Sequence, residues 1–394
     1  MNTVLAIVDV KDGQMLELTN PGPQGSDKRD KPPKETWRPH LELDADGGYF
    51  VSTPQTSEPG DVSDLLAEFD LNPNEWIVTN VRRSKWQRYD GEWLTSYRVS
   101  LKPRGYVGTL LDPSQLEDEV RRWRPGKTKP VKGPNTFLAA IGDTQWGKDA
   151  GDGTDGTVNR VMNGLHASVA RMMEVQHVGI GQVALPQMGD CIEGIVSQGG
   201  RIAGRIDLPL TAQIRLGRRI LLEWIKTFAP LTERLIVPVV PGNHDESTRQ
   251  LITDPLDSFQ VEIVSQVLDI CRENPALSHV EGRFIESDNT TLAVELSGVM
   301  VGFAHGHQSR NIPTWWQGQA LGQTPVGGAD VLITGHYHHF HAQNLGPRFW
   351  VQIPSMDGGS AWFRDRKGLD SPSGIVTMVV GDDIDPRRYV AVVN

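Results

Sequence analysis

Cys191 and Cys271 are the only two cysteines in 394 residues, so neither a disulfide framework nor a cysteine-rich zinc module holds this chain together. No stretch reaches the roughly 20 apolar residues that a membrane-spanning helix needs. The opening MNTVLAIVDVKDG has no basic leader, and its apolar run is too short for a signal peptide. The expectation is a soluble, cytoplasmic protein without a membrane partner. Positive charge is also scarce. There are 39 Lys and Arg against 49 Asp and Glu, a formal charge of -10, which argues against a protein that coats nucleic acid through bulk charge. Internal repeats and a serine-hydrolase elbow are both missing.

What the chain has is length, turns and a change of texture along its course. At 394 residues it can form two domains and bury a large core, and its 41 Gly and 26 Pro mark many loops. Residues 20–40 (NPGPQGSDKRDKPPKETWRPH) read as a linker or mobile arm. SDLLAEFDLNPNEW reads as a short helix stopped by Asn-Pro. The segment 76–104 alternates around a Tyr-Asp-Gly turn, the pattern of a β-hairpin. PSQLEDEVRRW reads as a helix leading into the linker RPGKTKPVKGPN. The expected divisions are 1–40 (N-terminal strand and flexible arm), 41–106 (small basic and aromatic α+β domain), 107–135 (helix and linker) and 136–394 (main domain).

After residue 135, apolar runs alternate with helical patterns at 157–177 and 209–228. The runs TFLAAIGD, QVALPQMGD, RLIVPVVPGNHD, VMVGFAHGH and ADVLITGHYHH read as strands buried on both faces, hence a layered α/β fold. Further strands near 291–296, 349–353 and 374–380, with few helices between them, suggest a second sheet.

The runs end alike: an apolar stretch, a small residue, then side chains able to bind metal. The ordered set is Asp143-Thr-Gln145, Asp190, Asn243-His244-Asp245, His305 and His336-Tyr-His338. Open α/β sheets place their active sites just beyond the carboxyl ends of strands. A single Gly-Asp after a strand is usually a turn, and a lone His-Gly is usually a loop. Five such endings in one chain, with GNHD among them, point to a metal centre.

This series, GD, GD, GNHD, HG and GHxH, resembles the calcineurin-like metallophosphoesterase superfamily over roughly residues 136–385. The resemblance implies a four-layer α/β fold, two β-sheets sandwiched by helices, with 136–394 as the catalytic domain. It also implies two divalent metal ions, with Asp190 as the bridging ligand. Asp143 and His338 would bind the first ion, and Asn243, His305 and His336 the second. His244 would stand beside the scissile phosphate as a charge stabiliser or general acid. Two cations about 3.5–4 Å apart can clamp a phosphate, and a hydroxide held between them serves as nucleophile. Carboxylate, amide and imidazole donors suit manganese, iron or zinc better than magnesium.

One position departs from the family pattern. Gln145 stands where a histidine is usual. Its neutral oxygen can ligate a hard cation directly or contact it through water, and a harder donor favours manganese.

The substrate class is less constrained by these motifs. From 80 to 135 there are 13 Lys and Arg against 6 Asp and Glu. Trp76, Trp86, Tyr89, Trp93, Tyr97 and Tyr106 are interleaved with Arg82, Arg83, Lys85, Arg88, Arg98 and Arg104. Aromatics stacking bases beside a neutralised backbone are how single strands are held. The same residues could instead form the core and solvated face of a small hairpin domain. Trp315-Trp316, between two metal motifs, could wall the pocket or simply pack. The expected activity is a DNA exo- or endonuclease, similar to the nuclease subunit of double-strand-break repair complexes. The alternatives are a phosphodiesterase or phosphatase for small nucleotides and a non-cutting nucleic-acid-binding scaffold.

Overall fold

The computed structural model describes residues 8–11, 14–17, 40–44, 47–56, 62–71, 76–103, 115–126, 130–359 and 371–394. The arm expected at 20–40, apart from its last residue, lies outside them, as do Arg104, Tyr106 and part of the linker after Trp123. The chain divides into two compact units, Met1–Thr109 and Leu110–Asn394.

The first unit opens with a hairpin of β1 (Val8–Lys11) and β2 (Gln14–Glu17). A four-stranded antiparallel sheet follows, built from β3 (His40–Asp44), β4 (Gly47–Val51), β5 (Trp76–Gln87) and β6 (Trp93–Pro103). The short helix α1 (Val62–Ala67) supplies Leu65 and Leu66, which are buried with Phe50, Tyr97, Val99 and Leu101. The hairpin expected from the Tyr-Asp-Gly turn is β5–β6: Gly91 takes φ +92°, and Arg88 N–H donates to Glu92 O at 2.8 Å. Strand alternation sends Tyr97 inward and leaves Arg82 and Arg98 opposite one another, both exposed.

The second unit carries α2 (Gln115–Arg122), β7 (Asn135–Ala140), α3 (Gly153–Glu174), β8 (Ile180–Ala184), α4 (Leu210–Phe228), β9 (Arg234–Pro238), α5 (Phe259–Arg272) and β10 (Val280–Arg283). The strands β7 to β10 are parallel, in the order β10-β9-β8-β7. All six residues of β7 are buried, as expected of a strand covered on both faces. Helix α3 starts at Gly153, a turn before the sequence pattern announces it. The Asp207 carboxylate, 53 residues away, accepts from Thr154 N–H at 2.7 Å and Thr154 Oγ1 at 2.6 Å, in place of a local cap.

A second sheet is made by β11 (Thr291–Leu296), β12 (Val299–Ala304), β13 (Val331–Thr334), β14 (His341–Leu345) and β15 (Arg348–Gln352), in the order β11-β12-β13-β15-β14. The chain then returns to the first sheet through β16 (Ile375–Val380), antiparallel to β7, and edge strand β17 (Ala391–Val393). One core joins the sheets: Leu138, Ala184, Ile236 and Met378 share it with Val301, Phe303, Ile333 and Val351. Each of these larger side chains, Ala184 apart, contributes about 1.5–3 kcal/mol on burial. Helix α6 (Ile312–Leu321) carries the tryptophan pair. Trp316 is buried with Leu332 and Trp350, its Nε1–H donating to Val326 O at 2.8 Å, and Trp315 packs against the same cluster. The pair therefore packs.

Candidate metal centre

Side chains from both sheets meet at strand ends. Asp143 follows β7, Asp190 follows β8, Asn243 and His244 follow β9, His305 follows β12, and His336 and His338 follow β13. Because β7, β8 and β9 are parallel, as are β12 and β13, their carboxyl ends lie on one side of each sheet. The glycines before the ligands have a steric reason. A Cβ on Gly242 would lie 2.1 Å from Asp190 Oδ1, and one on Gly335 would lie 2.7 Å from Asp143 Oδ2. Nine non-glycine residues among those described have positive φ, and five of them are Asp143 (50°), Gln145 (42°), Asp190 (52°), His336 (70°) and His338 (58°). Backbone held in this sparse region concentrates at functional sites.

Asp190, His305 and His336 bring ligand atoms within 4.8 Å of one another. His305 is fully buried, and its Nδ1 lies 2.8 Å from Met188 O, which directs Nε2 to the site. That Nε2 lies 3.1 Å from Asp190 Oδ2 yet makes no well-aligned hydrogen bond to it. The Asn243 Oδ1 atom is likewise buried without a hydrogen-bond partner. Close but unaligned donors, with an orphaned amide oxygen, are what groups converging on a common cation look like. Two carboxylate or amide oxygens and two imidazoles suit a borderline divalent ion, so these residues fit a metal.

The charges agree with that fit. Burial alone would lower the His305 imidazolium, but the Asp190 carboxylate beside it pushes it up to about 10. Burial would raise Asp190, yet His305 and His244 hold its carboxyl far below the ordinary range. A proton thus stands where a cation could. Burial and the neighbouring His305 lower His336 to about 4, so it is neutral and ready to ligate near pH 7.

Asp143 reaches the same place from β7. Its Oδ2 accepts the His336 N–H at 3.0 Å and its Oδ1 lies 3.2 Å from His338 Nε2. Gln145 is also brought in, but its Oε1 accepts from Lys148 Nζ at 2.6 Å. Lys148 is paired with Asp357, whose Oδ2 lies 3.6 Å from His338 Nδ1. His244 stands apart from the cluster. Its N–H donates to Asp190 Oδ1 at 2.7 Å, while its Nδ1 lies 3.1 Å from Glu193 O and 3.5 Å from Glu193 Oε2.

Four neighbours were not singled out from the sequence: Lys148, Glu193, His307 and Asp357. Glu193 had a signal, standing three residues after Asp190 in GDCIEG, and His307 stands in the same HGH run as His305. Lys148 and Asp357 are 209 residues apart, and nothing local announces their pairing. Burial lowers His307 to about 4, with His305 adding to the effect. His307 lines a cavity of about 480 Å³ with Gly242, Glu246, Arg249 and Asp257, and exposed Leu251 and Ile252 border it.

Fold and side chains together define a mixed α/β protein with a site equipped for a divalent metal. No family model matches the sequence, and no curated protein matches it. Among solved structures the chain is similar to a Vps29 variant from Entamoeba histolytica (15% identity, 62% of this chain and 87% of that chain, TM-score 0.29). It is also similar to an archaeal phosphodiesterase (13%, 65% and 99%, TM-score 0.30) and a predicted phosphoesterase from Streptococcus pneumoniae (11%, 63% and 84%, TM-score 0.28). Likeness so remote carries no functional weight; the site must. Among the described residues, no helix is long and apolar enough to cross a membrane.

Proposed function

We propose that this chain is a metal-dependent phosphoesterase of the calcineurin-like superfamily that hydrolyses phosphodiester bonds, with DNA as its substrate and manganese as its preferred metal. The observation that carries the reading is the convergence of Asp190, His305 and His336 from three strand ends, with the orphaned Asn243 oxygen following a fourth. A divalent ion bound there would act as a Lewis acid on a phosphoryl oxygen. The chain's own groups supply the rest. Nδ1 of His244 is held by Glu193, which leaves Nε2 to hand a proton to the leaving oxygen, and the Glu193 carboxylate stabilises the imidazolium. We read the second unit as the four-layer arrangement of that superfamily and the first as a small α+β recognition domain.

The DNA assignment rests on the first unit. Arg82 and Arg98 face each other across β5 and β6, a like-charge pair that costs stability unless an anion relieves it. Arg98 stacks 3.9 Å from the Tyr49 ring, and Tyr89 and Trp93 are 90% and 51% exposed near the hairpin tip. One observation favours the small-nucleotide phosphodiesterase instead: Tyr97 and Trp76 are spent in the core of the first unit, which leaves fewer rings for stacking.

The test is metal loading followed by assay on single-stranded DNA, duplex DNA and a bis-aryl phosphodiester. Hydrolysis of all three, lost together with bound metal in Asp190→Asn, is the expected result. Cleavage of the aryl ester but of neither DNA would move the reading to small nucleotides. No hydrolysis by metal-loaded protein would remove the enzyme reading.

A further inference from the structure

The resemblance implies two ions, but the donors on the Asp143 side do not make a second site of the ordinary kind. The oxygen Gln145 would offer already accepts from the Lys148 ammonium at 2.6 Å. A cation ligated by that oxygen at about 2.1 Å would lie within roughly 5 Å of the ammonium, a strong repulsion at this depth. Lys148 is not a stray surface group: its side chain is 18% exposed, and its partner Asp357 is 1% exposed. Asp357 in turn sits against His338 Nδ1, at 3.6 Å, and His338 Nε2 faces Asp143 Oδ1 at 3.2 Å. The series Gln145, Lys148, Asp357 and His338 is therefore continuous, with one fixed positive charge built into it.

We infer that this site holds one tightly bound divalent ion, at Asp190, Asn243, His305 and His336, and that the Lys148 ammonium takes the place of the second cation. The inference refines the phosphoesterase reading above, but its test does not depend on activity. The wild-type protein, saturated with Mn²⁺ and dialysed exhaustively, retains one equivalent by elemental analysis. Its electron paramagnetic resonance spectrum is that of an isolated ion. The double variant Gln145→His with Lys148→Ala retains two equivalents and shows an exchange-coupled pair, with affinity at the new position at least about tenfold above the wild type's. Lys148→Arg, which keeps the charge, stays at one equivalent. Two equivalents and a coupled spectrum in the wild type overturn the inference while leaving the phosphoesterase reading in place. No bound metal in the wild type overturns both. Because the wild-type measurement decides the matter, misfolding of a variant does not shield the inference.

Discussion

Asp245 braces Asp190 from behind: its Oδ2 accepts the Asp190 backbone N–H at 2.6 Å and the Gly242 N–H at 3.0 Å. Its Oδ1 also lies 3.3 Å from the Ile192 N–H. The last residue of GNHD thus clamps the loops after β8 and β9 together. Asp245→Ala would leave three buried N–H groups without a partner, each costing about 1–3 kcal/mol. We expect a loss of about 3 kcal/mol or more in urea unfolding, with reduced metal retention in the protein that remains folded. A loss below 1 kcal/mol would show that the clamp carries little strain.

His244 and Glu193 should separate catalysis from metal binding. His244→Ala keeps metal content but lowers kcat by about 10²–10⁴-fold. Glu193→Gln keeps the His244 contact to the Glu193 backbone carbonyl while removing the carboxylate that stabilises the imidazolium. It should lower kcat less than His244→Ala does, with metal content unchanged. Metal loss in His244→Ala would make His244 a ligand instead.

The protonated His305 gives a signed pH dependence. With its imidazolium raised to about 10, the metal-free site carries a proton that binding must expel. Affinity therefore rises with pH, about tenfold per unit, and levels off only near the raised value. His336, lowered to about 4, adds nothing near neutrality. Calorimetric Mn²⁺ titrations in buffers of different ionisation heat should find about one proton released per ion. A pH-independent affinity would remove His305 from the ligand set.

The arginine face of the first unit should act through phosphate. Replacing Arg82 and Arg98 together by alanine should lower the salt slope of single-stranded DNA binding by about 1.4, near 0.7 per lost phosphate contact. Trp93→Ala should weaken binding by about 1–3 kcal/mol if the ring stacks a base. Circular dichroism checks that the small sheet survives. Unchanged binding and an unchanged slope would leave the first unit without a role in nucleic-acid recognition.

What the sequence announced was decided by local periodicity. The apolar runs ahead of Asp143, Asp190 and Asn243 read as buried strands because β7, β8 and β9 are covered on both faces. The amphipathic pattern of α4 is equally local, and its N-terminus lies within one residue of the expected position. In helix α5, Val261, Val264, Val267, Leu268 and Cys271 keep helical spacing, so this element too is written in local periodicity. Helix α6 hides better: Pro313 and Gly318 interrupt a short apolar segment whose tryptophans are set by tertiary packing. Lys148 and Asp357 were illegible for a stronger reason, since their pairing exists only once two distant loops are brought together.

The left-handed backbone at Asp143, Gln145, Asp190, His336 and His338 also says something about how this protein could change over time. Each such residue costs about 1–3 kcal/mol against a relaxed conformation, so the proposed site is also under conformational tension. Glycine at Asp190 or His336 would relieve it and forfeit a proposed metal ligand. A lineage no longer selected for the proposed activity would therefore find its easiest gains in robustness at these positions, losing that activity and stiffening the scaffold in the same substitutions.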